Sequence, residues 1–305
     1  MRDVPDGIRR TPIEGGRFDI FCVEDAGFCF GVERAVRLAK DAAARFGKVF
    51  SLGPLIHNRD VVEALRSEGI HVAETLDEVN GEVIIARSHG LPPELAEGAK
   101  RRGMNIIDGT CPFVKKAQEN AALLRTEGYH IVIVGNAKHP EVKALLGFSG
   151  ENSQVVGSDS QIKLPDGVQK VGVIAQTTEQ IKVFSRVVAT VAAEAKVVRV
   201  FNTVCDAVLS RRANTLKLAE LCNVVIVVGG RHSANTKQLA AVSRHHGTKT
   251  HHIERPEEIE AAWFHGKKSV GVTVGASTPV WITSSVVERL KELSLRVESE
   301  GKHRR

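Results

Sequence analysis

Residues 108–118 read DGTCPFVKKAQ: a cysteine, a proline directly after it, then apolar and basic residues at helical spacing. Just upstream, MNIID (104–108) has the short branched apolar character of a strand, so the passage reads as strand, turn, cysteine, helix. The same passage occurs twice more, as AGFCFGVERAV (26–36) after FDIFCV (18–23) and as NTVCDAVLSRR (202–212) after VVRVF (197–201). Between these lie further strand candidates, KVFSLG (48–53), EVIIAR (82–87), HIVIVG (130–135), KVGVIAQ (170–176), NVVIVVG (223–229) and SVGVTVG (269–275). Short apolar runs separated by amphipathic helical stretches indicate parallel sheets covered on both faces.

The segments that leave these strands repeat as well. One set of tips runs GPLIHNRDVV (53–62), GNAKHPEVKA (135–144) and GGRHSANTKQ (229–238), and another runs RSHGLPPELA (87–96), QTTEQIKVFS (176–185) and GASTPVWITS (275–284). The interval is constant: Cys29 to His57, Cys111 to His139 and Cys205 to Ser233 are each 28 residues apart. Internal repetition of this kind identifies one supersecondary unit used three times. The expected fold is therefore α/β, with three related parallel-sheet α/β units in a pseudo-threefold, trefoil-like arrangement around a central site. The expected boundaries are a disordered lead-in over 1–17, a strand and cysteine loop over 18–30 packing with the third unit, units over 31–111, 112–201 and 202–292, and a charged tail over 293–305.

Composition narrows the function classes. The chain has 305 residues, 42% hydrophobic and 26% charged, and a formal net charge of +6. Half of that excess lies in the two terminal segments, and with 5% aromatics there is no basic run interleaved with aromatic residues, which excludes the usual nucleic-acid footprint. No apolar run approaches the length of a membrane helix, and the first seventeen residues lack the apolar core of a secretory signal; a cytoplasmic location is expected. Five cysteines spread over a chain of this size argue for reduced thiols over a disulfide framework. Cys22 and Cys222 lie in apolar segments and read as core.

Cys29, Cys111 and Cys205 read differently. Each stands at an expected helix start, where unpaired N–H groups and the positive end of the dipole favour thiolate. Three thiolates from three units suit a soft metal or an iron–sulfur centre, and no short paired spacing of the structural zinc type is present. A 4Fe-4S cube held by three cysteines keeps one iron free of protein thiolate, open to a substrate oxygen. The surrounding tips are mostly neutral: His57, His89, His139, Thr177, Thr178, Ser233, Asn235 and Ser277. Hydroxyls, an amide, imidazoles and helix N-termini suit an anionic phosphate or diphosphate. One carboxylate stands on a tip, Glu141; buried beside an anion it acquires a raised pKa and the capacity to donate a proton.

In order along the chain, GFCFGVERAV, LGPLIHN, RSHG, DGTCPFV, HPEV, AQTT, NTVCDA, SANT and GASTP resemble the 4-hydroxy-3-methylbut-2-enyl diphosphate reductase family, iron–sulfur enzymes of the non-mevalonate isoprenoid pathway. The resemblance implies one 4Fe-4S cluster per chain on Cys29, Cys111 and Cys205. It also implies that His57, His89, Ser233, Asn235 and Ser277 hold the substrate diphosphate with His139 nearby, and that Thr177 and Glu141 deliver protons to the allylic hydroxyl. The implied reaction is reductive dehydroxylation to isopentenyl and dimethylallyl diphosphate, with reduced ferredoxin or flavodoxin as electron donor. The chain departs from the family pattern over 208–212 (VLSRR), at His232, where asparagine is common, and at Ala144, where glycine is common. Two other classes use the same residues: a non-redox iron–sulfur dehydratase of a phosphorylated substrate, and a metal or phosphate sensor built on the three thiolates and a histidine. Under the cluster reading, serine in place of Cys29, Cys111 or Cys205 is expected to abolish iron retention and turnover, whereas Cys22→Ser and Cys222→Ser keep both, as iron analysis of the purified variants measures.

Overall fold

The computed structural model describes residues 4–158 and 160–295. The chain begins with β1 (Ile8–Thr11) and β2 (Asp19–Val23), then α1 (Phe30–Phe46), β3 (Val49–Leu52), α2 (Arg59–Ser67), β4 (Ile70–Ala73), β5 (Val83–Ala86), α3 (Pro93–Arg101) and β6 (Asn105–Asp108). It continues through α4 (Pro112–Thr126), β7 (His130–Val134), α5 (Pro140–Ser149), β8 (Ser153–Val156), β9 (Lys170–Ala175), α6 (Ile181–Glu194) and β10 (Val197–Val200). The last stretch holds α7 (Asp206–Leu221), β11 (Val224–Val228), α8 (Ala234–His245), β12 (Lys249–Ile253), β13 (Ser269–Val274) and α9 (Val280–Leu295).

These strands make three sheets, ordered β4-β3-β5-β6, β8-β7-β9-β10 and β12-β11-β13-β2-β1. Each is parallel throughout, except that β1 runs antiparallel to β2. The order within each sheet is the same: second strand, first, third, fourth. In the last sheet the fourth place is filled from the beginning of the chain by β2, paired with β13 from Ser269↔Asp19 to Val272↔Cys22. The α/β class and its three parallel sheets agree with expectation.

By compactness the chain divides into two units, one of Met1–Cys29, His57–Arg59 and Ala207–Arg305, the other of Phe30–Ile56 and Asp60–Asp206. The first contains the five-stranded sheet, in which β11 lies between β12 and β13 and its five residues VVIVV are all fully buried; a run of β-branched residues with both faces covered can occupy only an interior strand. Leu218, Val272, Val286 and Leu290 close its core, and Cys22 and Cys222 lie within it. Burial pushes these two thiols up to about 11 and about 12, so they are inert packing groups. The second unit holds the other two sheets, each with its own apolar layer: Leu124, Ile131, Ile133 and Leu145 in one, Leu52, Ile84 and Ala99 in the other.

All nine strands expected from the sequence are present. The four it does not signal, β1, β4, β8 and β12, each lie at a sheet edge. An edge strand is solvated on one side, and KTHHI of β12 or IHVA of β4 accordingly lacks a continuous apolar run. The lead-in expected to be disordered over 1–17 is corrected over residues 8–11. There Ile8 is 4% exposed, the register with β2 runs from Ile8↔Val23 to Thr11↔Ile20, and Arg10 pairs with Asp19 at 2.5 Å. Residues 1–3 lie outside the described residues. Of the charged tail expected over 293–305, residues 293–295 complete α9 with Leu293 and Ser294 buried, and the rest lies outside the described residues. Among the described residues no helix is long and apolar enough to cross a membrane.

Candidate functional site

The three cysteine turns are built alike. Each comes after the fourth strand of its sheet, and each cysteine N–H donates to the carbonyl of the residue two places beyond the third strand: Cys29 to Ala276 at 3.0 Å, Cys111 to Ser88 at 3.0 Å, Cys205 to Thr177 at 2.8 Å. That bond fixes the end of the loop that follows the strand, and the next residues start a helix with the cysteine at its N-terminus. At Cys111, extended backbone (φ −58°, ψ 134°) and Pro112 in the first turn make the start abrupt. All three thiols are half-buried, unlike Cys22 and Cys222.

Two supports of Cys111 carry no sequence signal strong enough to be noticed beforehand. Gly31 faces it so closely that a Cβ there would lie 2.4 Å from the Cys111 Sγ; only glycine lets the backbone of α1 approach this sulfur. The guanidinium of Arg34 donates to the carbonyls of Thr110 (3.0 Å) and Asp108 (3.2 Å), holding the segment that leads into the turn. Arg34 reads as one more charged residue on the polar face of an amphipathic helix.

In the same unit, the tips after β7 and β9 meet through a carboxyl. Glu141 is 1% exposed; its Oε1 accepts the Thr177 N–H at 2.6 Å and its Oε2 accepts the Thr177 hydroxyl at 2.8 Å. Burial raises this carboxyl from 4.5 to about 7, against the opposing pull of the two Thr177 hydrogen bonds. His139 caps α5, its Nδ1 accepting the Glu141 N–H at 3.2 Å, which puts the proton of the neutral ring on Nε2. The His139 ring stands edge-on to that of His89, with centroids 5.2 Å apart. Thr178 is committed elsewhere: its hydroxyl accepts from the Gln176 amide at 2.7 Å, while the Gln176 carbonyl accepts the Asn136 N–H at 3.1 Å.

In the other unit, the tips after β11 and β13 abut. A Cβ on Gly275 would lie 2.1 Å from the Thr236 Oγ1, and the Thr278 hydroxyl donates to the Val228 carbonyl at 3.1 Å. His57 belongs here too, its carbonyl oxygen 2.0 Å from where a Gly230 Cβ would stand. Ser233 caps α8, accepting the Thr236 N–H at 3.3 Å. Asn235 is 3% exposed, yet neither its Oδ1 nor its Nδ2 has a hydrogen-bond partner among the described residues, and the buried hydroxyls of Thr236 and Ser277 are equally unanswered. Native chains rarely leave so many buried polar atoms unmatched, each at a cost of about 1–3 kcal/mol. At the start of a helix this is the donor arrangement an anionic oxygen cluster satisfies.

Of the departures over 208–212, Val208 and Arg211 are buried; Ala144 is fully buried in α5, and His232 is exposed. None occupies the place of a thiol, of Glu141 or of the unanswered donors.

Comparison with known proteins is consistent along the chain. The LytB protein family matches residues 20–291. The 4-hydroxy-3-methylbut-2-enyl diphosphate reductase of Geobacter metallireducens is 43% identical over 275 residues, 90% of this chain and 98% of that protein. The enzyme of the same name from Syntrophotalea carbinolica is 42% identical over 277 residues, 90% and 99%. Among solved structures, an (E)-4-hydroxy-3-methyl-but-2-enyl diphosphate reductase described as the terminal enzyme of the non-mevalonate pathway aligns with TM-score 0.68 and 39% identity over 90% of this chain and 99% of its own. The Plasmodium falciparum reductase shares the fold, with TM-score 0.83 at 23% identity over 90% of this chain and 87% of its own.

The raised carboxyl has a consequence for stability. Between pH 4.5 and about 7 the folded chain keeps the Glu141 proton that the unfolded chain releases. The stability this group contributes is therefore full below 4.5 and is lost as pH rises through about 7. Glu141→Gln, which cannot ionise, is expected to melt at the same temperature as the native chain at the acid end of that window and at a higher temperature above it, as anaerobic calorimetry across the range measures.

Proposed function

The chain belongs to the LytB protein family, and on that footing we propose that it is a 4-hydroxy-3-methylbut-2-enyl diphosphate reductase. It removes the allylic hydroxyl of (E)-4-hydroxy-3-methylbut-2-enyl diphosphate as water, consuming two electrons and two protons, and yields isopentenyl and dimethylallyl diphosphate. The relatives of that name match 90% of the chain at above 40% identity. The observation that carries the chemistry is the Glu141–Thr177 pair: a carboxyl 1% exposed, raised to about 7 and joined to a hydroxyl at 2.8 Å.

Cys29, Cys111 and Cys205 are the ligands of one 4Fe-4S cluster. The fit rests on their chemistry here: half-buried thiols at helix starts with matching backbone bonds, and at Cys111 a glycine cradle beside the sulfur. When bound, such a cluster with one iron free of thiolate supplies electron transfer and Lewis acidity toward the substrate hydroxyl. Among the described residues Cys22 and Cys222 stay in the core and offer no alternative ligand.

The rest falls to side chains. Asn235 and Ser277 answer the diphosphate oxygens with their unmatched donors and Ser233 fixes the N-terminus of α8 beside them; the family resemblance adds His57, His89 and His139 as further diphosphate-binding residues. Near neutral pH Glu141 is poised between its protonated and ionised forms. As an acid it donates to the Thr177 Oγ, whose own proton then turns toward the substrate hydroxyl; as a carboxylate it accepts from that same oxygen, the state in which Oε2 receives the hydroxyl hydrogen. The Thr177 N–H on Oε1, at 2.6 Å, holds the carboxyl beside that hydroxyl. Thr178 orders this tip through Gln176. Reduced ferredoxin or flavodoxin, acidic carriers, suits a chain of net charge +6, and a cytoplasmic setting suits five cysteines that form no disulfide.

The test is an anaerobic assay of the iron-loaded chain with the allylic diphosphate and a chemical reductant, products being identified by mass. Both isomeric diphosphates are expected, and none without reductant; reductant-independent loss of water would instead assign a dehydratase. Glu141→Gln is expected to retain iron and substrate affinity and to lose about 10²- to 10⁴-fold in rate, the usual contribution of general acid catalysis.

A further inference from the structure

The residue six positions after each cysteine breaks the threefold repetition. It is Ala35 in the first passage and Ala117 in the second, both fully buried against their sheets; in the third it is Arg211, 4% exposed. If packing were the only demand, alanine would meet it a third time. A buried guanidinium carries a desolvation cost that must be offset by hydrogen bonds in good geometry.

Those bonds go to two loops. Nη2 donates to the Gly27 carbonyl at 3.0 Å, and Nη1 to the Val274 carbonyl at 3.1 Å. Nε lies 3.7 Å from a carboxylate oxygen of Asp25. Gly27 stands two residues before Cys29, and Val274 is the last residue of β13, three before Ser277. The same two loops are joined once more by the Cys29 N–H to the Ala276 carbonyl, at 3.0 Å. The fork of Arg211 therefore bridges the turn that presents Cys29 and the tip that presents Ser277. A planar guanidinium spans two carbonyls at fixed separation; an ammonium, a point donor on a flexible stem, does not.

We propose that Arg211 is a positioning residue that locks the Cys29 turn to the Ser277 tip, so that a diphosphate held at that tip stabilises Cys29 in its ligand geometry. The inference rests on the reading of Cys29 as cluster ligand and Ser277 as diphosphate ligand, and adds to it a coupling between the two. Occupancy of the anion cradle orders the 275–278 loop, Arg211 passes that order to residues 25–29, and release of the cysteine from iron is slowed.

The test monitors iron release to a chelator from anaerobic, cluster-loaded protein, with and without saturating inorganic diphosphate. In the native chain, diphosphate is expected to slow release by about fivefold or more, the lower range of measured site-to-site coupling. In Arg211→Lys, with diphosphate shown by calorimetry to be bound, release is expected to be faster and to change by less than about twofold on adding diphosphate. Alkylation of Cys222 serves as an internal monitor of unfolding and is expected to stay as slow as in the native chain. Should the lysine variant fail to take up iron, Arg211→Gln, whose amide still reaches one carbonyl, is measured in the same way. A variant that keeps the native diphosphate effect overturns the proposal. So does a native chain whose iron release ignores diphosphate, and so does a variant in which Cys222 becomes reactive together with Cys29, which would make Arg211 a stabiliser of the sheet. A native chain that retains no iron refutes the cluster reading itself, and the coupling falls with it.

Discussion

One backbone hydrogen bond, made three times, sets the functional edge of this protein. In the loop that follows the fourth strand of each sheet, a cysteine amide bonds the carbonyl two residues beyond the third strand. The cysteine then immediately precedes the first residue of the helix, Phe30, Pro112 or Asp206, at the positive end of its dipole. The requirement is local and asks little of side chains, which is why CFGVERA, CPFVKKA and CDAVLSR can all satisfy it. It also explains why a unit can take its fourth strand from the far end of the chain, as the last sheet does with β2.

Around that scaffold the two compact units divide the polar work. One holds the buried acid, and the opposing effects on it are visible: burial drives Glu141 upward, two hydrogen bonds from Thr177 draw it back, and burial prevails. The other unit holds donors that the chain itself leaves unanswered at Asn235, Thr236 and Ser277. Each such unmatched buried group is destabilising in the chain by itself.

Much of this was legible in the residues, for identifiable reasons. Interior strands announce themselves because burial on both faces demands unbroken apolar runs, as in VVIVV of β11. The cysteine spacing was visible because the repeat fixes it. The edge strands β1, β4, β8 and β12 were not signalled, since a strand half in solvent reads like a loop; β1 depends on pairing with β2 more than on its own IRRT composition. Gly31 and Arg34 were equally silent, because their importance lies in which distant carbonyl or sulfur they face. For Arg211 a signal did exist: alignment of the three passages with one another shows arginine where the others have alanine.

The proposed reductase activity requires that Cys29, Cys111 and Cys205 together hold an iron–sulfur cluster with one iron open to substrate. Mössbauer spectroscopy of the chain loaded with isotopically enriched iron tests it most directly. One iron environment distinct from the rest is expected, and it alone should change when the allylic diphosphate is added. A spectrum in which every iron is equivalent and indifferent to the diphosphate, or a chain that binds no iron, would contradict the claim.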